Sequence, residues 1–204
     1  MRRKIQLKTM TKRFSLVCII LCFIFALSAC EKENITVDEI KKELPKLIED
    51  STVLNEIYFG IGFKPDGKYS DVRASGGYFY CLTEKTGFNS ILEIKEATEK
   101  VFSPEYSAGI YEYAFVGLST ESVVVAPRFM EGEYGLMQSV DADIRYLPER
   151  VYKYDTLEIV EEGSDRVKVS VMTTVSGKEE KVELSVVRTG QKGAYSYRLD
   201  SPTY

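Results

Sequence analysis

Between Leu157 and Leu199 apolar residues recur at every second position in four runs: Leu157/Ile159, Val167/Val169/Val171, Val182/Leu184/Val186 and Tyr195/Tyr197/Leu199. Successive side chains of a strand point to opposite faces, so each run makes a strand with one apolar side. Gly163-Ser164, Ser176-Gly177-Lys178 and Gly190–Gly193 separate the runs, and these residue types favour tight turns. Four strands with short turns between them make an antiparallel meander, and its apolar face must be covered.

The upstream chain supplies the cover. Thr36-Val37-Asp38-Glu39 has the form of a capping box, and Ile40, Leu44, Leu47 and Ile48 follow at helical spacing. Pro45 lacks an amide hydrogen and should kink or restart that helix. A second apolar group, Val53, Leu54, Ile57 and Phe59, leads to Gly60 and Gly62, and Lys64-Pro65-Asp66-Gly67 reads as a turn. Gly77–Leu82 reads as a strand. Ser90-Ile91-Leu92-Glu93 is another capping box, and Ser103-Pro104-Glu105 starts a helix that should stop near Gly117. Glu121–Ala126 is a β-branched run expected to form a strand. The expected fold is α+β, with N-terminal helices on one face of a curved antiparallel sheet. In outline this expected fold resembles cystatin-like or NTF2-like domains.

Residues 1–29 stand apart. They hold six basic residues, no acid and the twelve-residue apolar run Leu16–Leu27, the make-up of a signal peptide. A bilayer span takes about 20 residues. The run ends in Leu27-Ser28-Ala29-Cys30, which resembles the lipobox of bacterial lipoproteins. The resemblance implies cleavage before Cys30, diacylglyceryl modification of its thiol and attachment to the outer face of the cell membrane. Residues 30–35 would then be a lipidated N-terminus with a short tether of about 20 Å reach, and 36–204 a single domain. Met10 opens a leader of more ordinary length and is a second candidate start.

Removing the leader leaves 21 basic residues against all 31 acids. A body this acidic argues against nucleic acid, which requires a basic stripe. It suits a basic protein partner. Cys18 and Cys22 lie in the leader, so Cys81 is alone in the body and no internal disulfide can form. Its strand-like setting, Tyr78-Phe79-Tyr80-Cys81-Leu82, points to a buried structural thiol.

Catalytic signatures are lacking. The chain has no histidine, which removes Ser-His-Asp and Cys-His chemistry and most zinc sites. It contains no Ser-x-x-Lys pair and no glycine-rich phosphate loop. Carboxylates remain: Asp141-Ala142-Asp143, with Glu131 and Glu133 upstream. Arg145 occupies the third ligand position of an EF-hand-like loop begun at Asp141, so calcium is unsupported. No cofactor or metal is expected, and these four acids read as a solvated loop or a contact for a basic partner. Fourteen tyrosines without a tryptophan fit half-buried strand positions or an interface. Asn34-Ile35-Thr36 matches a glycosylation sequon, a chance match beside a bacterial-type lipobox.

One further resemblance bears on function. Asn55–Gly62, Tyr78–Leu82, and Thr86 followed by a helix through Leu92 to Val101-Phe102 resemble the IseA-type DL-endopeptidase inhibitors. The resemblance implies a small non-catalytic extracytoplasmic domain that blocks cell-wall peptidases of the NlpC/P60 type. Three functions are thus in view: a binding protein acting on a cell-wall hydrolase, a cystatin-like or NTF2-like ligand-binding module, and an acid-catalysed envelope hydrolase. Replacing Cys30→Ala should abolish incorporation of radiolabelled palmitate and release the protein from the membrane; undiminished labelling would end the lipoprotein reading.

Overall fold

The computed structural model describes residues 33–69, 77–84, 87–119 and 124–204. The leader and Cys30 lie outside them, as does Thr86. Ile35–Tyr204 forms a compact unit of its own.

Helix α1 (Val37–Tyr58) is the longest element among the described residues. Its capping box forms as expected: the Thr36 hydroxyl accepts from the Glu39 amide, and the Glu39 carboxylate accepts from the Thr36 amide at 2.7 Å. Pro45 does not break it. Ile40 and Leu44 before the proline and Leu47, Ile48, Leu54 and Ile57 after it lie on one buried stripe. Continuous burial of that stripe outweighs the roughly 3 kcal/mol cost of a mid-helix proline. The second apolar group of the sequence therefore belongs to the same helix.

After strand β1 (Tyr78–Tyr80) come α2 (Ile91–Val101) and α3 (Pro104–Tyr111). Ser90 and Ser103 cap them, each accepting from the amide three residues on. A π-helical turn, Glu112–Val116, extends α3 to Gly117, where the stop was expected. The chain then forms β2 (Leu118–Ser119), β3 (Val124–Val125), β4 (Phe129–Gly132) and β5 (Gly135–Ser139). The long strands follow: β6 (Arg150–Glu161), β7 (Arg166–Val175), β8 (Lys178–Thr189) and β9 (Ser196–Leu199).

The meander appears in the expected order, β6-β7-β8-β9, all neighbours antiparallel. Val167, Val169, Val171, Leu184, Val186 and Leu199 are buried beneath α1 and α2 in one core with Ile40, Leu44 and Phe102. Its outer face is charged: Lys168–Glu161 pairs β7 with the neighbouring β6, and Lys153–Glu179 and Lys181–Glu158 join β6 to β8 over β7. Such exposed pairs add about 0–1 kcal/mol each and keep the face wet.

Of the β-branched run Glu121–Ala126, expected to form a strand, residues 124–126 are described, and Val124–Val125 form the two-residue β3, paired with β2 as a small ribbon with exposed side chains. One expectation needs correction. The stretch from Glu131 to Asp143 is not one loop. It includes most of a hairpin, β4–β5, whose second strand pairs with β1 to make a three-stranded sheet, β1-β5-β4. Neither strand is rich in β-branched residues, so period and propensity give little warning.

Glu39 also accepts from the Tyr197 hydroxyl at 2.9 Å and lies 3.5 Å from the buried Arg188 guanidinium. It thereby joins the start of α1 to β8 and β9. The Thr36 amide, chiefly, with the Thr36 and Tyr197 hydroxyls and Arg188, holds its carboxyl below the usual carboxylate value. A depressed carboxyl contributes stability that is present above its unfolded pKa and lost as pH falls through the folded one. Glu39→Gln should therefore lower the melting temperature at pH 7, and the gap to wild type should close as the solution is acidified below the carboxylate range. Thermal unfolding followed by circular dichroism at several pH values checks this; a gap that does not vary with pH would remove Glu39 as the linkage group.

Candidate functional site

The last carbonyls of a helix have no partner within it, and α1 has no basic residue in its final turn. Arg128, just ahead of β4, fills that role. It is 2% exposed. Its Nε donates to the Ile57 carbonyl at 2.9 Å, one terminal nitrogen to the Gly60 carbonyl, and the other to the Asp143 carbonyl at 3.0 Å. Burial pushes its pKa down, but a guanidinium stays charged in a protein. A cation among helix C-terminal carbonyls sits at the negative end of the helix dipole.

Gln138 on β5 holds the next stretch. Its side chain accepts from the Phe63 amide at 2.8 Å and donates to the Ile61 carbonyl at 2.9 Å. Gly62, between them, has φ +75°, and a Cβ there would fall 2.3 Å from Gln138 Oε1. The glycine-aromatic pattern around Gly60 and Gly62 is thus the footprint of a backbone clamp.

These clamps fix the segment after β5. The Val140 amide donates to Gly77, the Arg145 amide to Phe59 at 2.7 Å, and Arg128 holds the Asp143 carbonyl. The Arg145 guanidinium lies over the Phe59 ring. Side chains nevertheless project outward: Val140 is 58%, Ile144 57% and Tyr146 86% exposed. Nearby, the β2–β3 ribbon exposes Leu118, Val124 and Val125. Gly117, at φ +84°, lets the ribbon close, since a Cβ there would meet the Val125 carbonyl at 2.4 Å.

The four acids singled out in the sequence are all exposed but do not form one patch. Asp141 and Asp143 lie in the clamped segment. Glu131 stands opposite Leu136 near the hairpin turn, and Leu136 precedes Asp141 by five residues, an extended length of about 17 Å at 3.4 Å per residue. Its carboxylate accepts from the Ile91 amide at 3.0 Å, at the start of α2, an anion at a helix N-terminus. Glu133 is in the turn itself. Cys81 is 6% exposed, and burial pushes its thiol up to about 12, which leaves it without thiolate character at neutral pH.

Arg128 and Gln138 carry the site, and sequence reasoning did not find them. Arg128 is the lone charge in Val123–Met130, otherwise apolar apart from it; a base in such a run is a signal of a buried, hydrogen-bonded cation. Among the described residues no group of three or more ligating side chains could hold a metal ion, and no helix is long and apolar enough to cross a membrane. No family model, no curated protein and no solved structure matches the chain.

Arg128→Met keeps the bulk of the side chain and strands three carbonyls. Each buried group left unsatisfied costs about 1–3 kcal/mol, so a loss of at least about 3 kcal/mol is expected, and with it roughly 6–12 °C in melting temperature for a domain of this size. Arg128→Lys should recover little, because an ammonium cannot span the three oxygens as a planar fork does. A change under about 2 °C in the methionine variant would show that the clamp is dispensable.

Proposed function

We propose that this is a lipid-anchored, non-catalytic binding domain of the cell envelope, and that it grips a basic protein partner with the segment 140–146. The observation that carries the proposal is the contrast within that segment. Its backbone is tied to Phe59 just past α1, to Gly77 just before β1 and to Arg128, whereas Val140, Ile144 and Tyr146 face solvent beside Asp141 and Asp143. A loop already held in one conformation loses little entropy on binding. An exposed tyrosine with aliphatic neighbours is the composition of an interface centre. The surrounding acids steer a cationic partner.

The partner class follows from the resemblance to DL-endopeptidase inhibitors, whose targets are cell-wall hydrolases. Residues 55–62, which carry much of that resemblance, form the clamp beneath the loop. The other face of the domain suits the role less well. The outer side of the meander is crossed by ion pairs.

A cystatin-like or NTF2-like ligand-binding module is the second reading. In that arrangement the ligand lies between helices and sheet. Here Ile40, Leu44, Phe102, Val169, Leu184 and Leu199, each at most 2% exposed, occupy that space, which weighs against it.

The test is affinity capture from envelope extract with the body 31–204, followed by surface plasmon resonance on the captured protein. The double variant Ile144→Ser, Tyr146→Ala should lose at least tenfold in affinity, mainly through faster dissociation. Lys181→Glu, on the outer sheet face, should bind like wild type. If the double variant keeps full affinity, the segment 140–146 is not the contact and the reading falls.

A further inference from the structure

Beside the segment 140–146 a cleft of about 450 Å³ opens between β3 and residues 139–143, a volume in the range of pockets that take a small ligand or a side chain. Val124, Val125 and Ala126 form one wall, Asp141 and Asp143 belong to the other, and the buried Arg128 lies at the base. One side of the cleft is thus apolar and the other anionic. The charges do not cancel. Arg128 gives its hydrogen bonds to carbonyl oxygens, and among the residues lining the cleft one guanidinium stands against two carboxylates. No described residue pairs with the carboxylate of Asp141, and one negative charge is left over.

We propose that this cleft receives one lysine or arginine side chain of the partner protein, its methylene stem against Val124–Ala126 and its cationic head on Asp141 and Asp143. The inference rests on the binding reading above and names the residue that reading would recognise. A long basic side chain is the occupant that matches both walls, because its stem is apolar and its tip charged. The cleft is far larger than a metal ion requires, and no described cluster of three ligating side chains lines it. An anionic ligand would meet an unbalanced carboxylate.

The test uses the isotopically labelled body 31–204, which contains the whole compact unit. It is titrated with acetyl-Ala-Lys-Ala-amide, with the same peptide carrying norleucine for lysine, and with calcium chloride, and followed by amide chemical shifts. The lysine peptide should shift the amides of 124–126 and 139–143, and norleucine should bind at least tenfold more weakly. Both the pair Asp141→Asn, Asp143→Asn and the cleft-filling Ala126→Phe should reduce lysine-peptide affinity tenfold or more. Equal binding of norleucine, the same shifts with calcium, or no shifts in the cleft at peptide concentrations on the order of 10 mM would overturn the proposal. The captured partner separates the two levels. If its binding falls in the Ile144→Ser, Tyr146→Ala variant but survives Ala126→Phe, only the cleft proposal fails; if it survives both, the binding reading fails with it.

Discussion

The guanidinium of Arg128 reaches three carbonyls that belong to two separate parts of the chain, the end of α1 and the segment after β5. Burying a charge is costly unless every polar edge of it is met, and here carbonyl dipoles meet it where a carboxylate usually would. Such an arrangement has a fixed geometry. A carboxylate can swing to follow its partner, whereas backbone oxygens move only if the helix end and the loop move with them. The register of the small sheet, the close of α1 and the shape of the exposed segment are therefore set together.

Helix α1 is held in different ways at its two ends. At its start, Glu39 brings together a capping threonine, a tyrosine from β9 and an arginine from β8. At its finish, a cation from outside the helix meets its carbonyls. Both devices place the sign of charge that the helix dipole favours. Between them the helix contributes a continuous apolar stripe to the core, which is why Pro45 is carried through without a break.

The regular parts of this fold were legible because their signals are local. Alternation marked β6 to β9, and Thr36, Ser90 and Ser103 marked three helix starts by hydrogen bonds that span three residues. Of the small sheet β1 was legible in Gly77–Leu82, but β4 and β5 were not, because β5 places buried Gln138 in the middle of the sheet and interrupts the apolar pattern. That glutamine is compatible with burial only through two backbone groups more than 70 residues away in sequence, and no window of sequence shows such a partner. The candidate site had the same difficulty. Asp141 and Asp143 were visible as a charge motif, but the arginine that orders their backbone acts through space, and the separation of Glu131 from them depends on a hairpin that its own residues barely announce.

At 1.5 Å per residue, the 22 residues of α1 make a rod of about 33 Å. The described domain begins at one end of this rod, and Arg128 and the exposed segment sit at the other. A lipid at Cys30, as proposed, would be joined to the near end by only a few residues. The far end would then lie no farther from the anchor than the length of the helix and those few residues together. A partner would have to come within that distance of the anchor to be touched. Lengthening the tether rather than α1, both of whose ends are held to other elements, would extend that reach without altering a single contact residue.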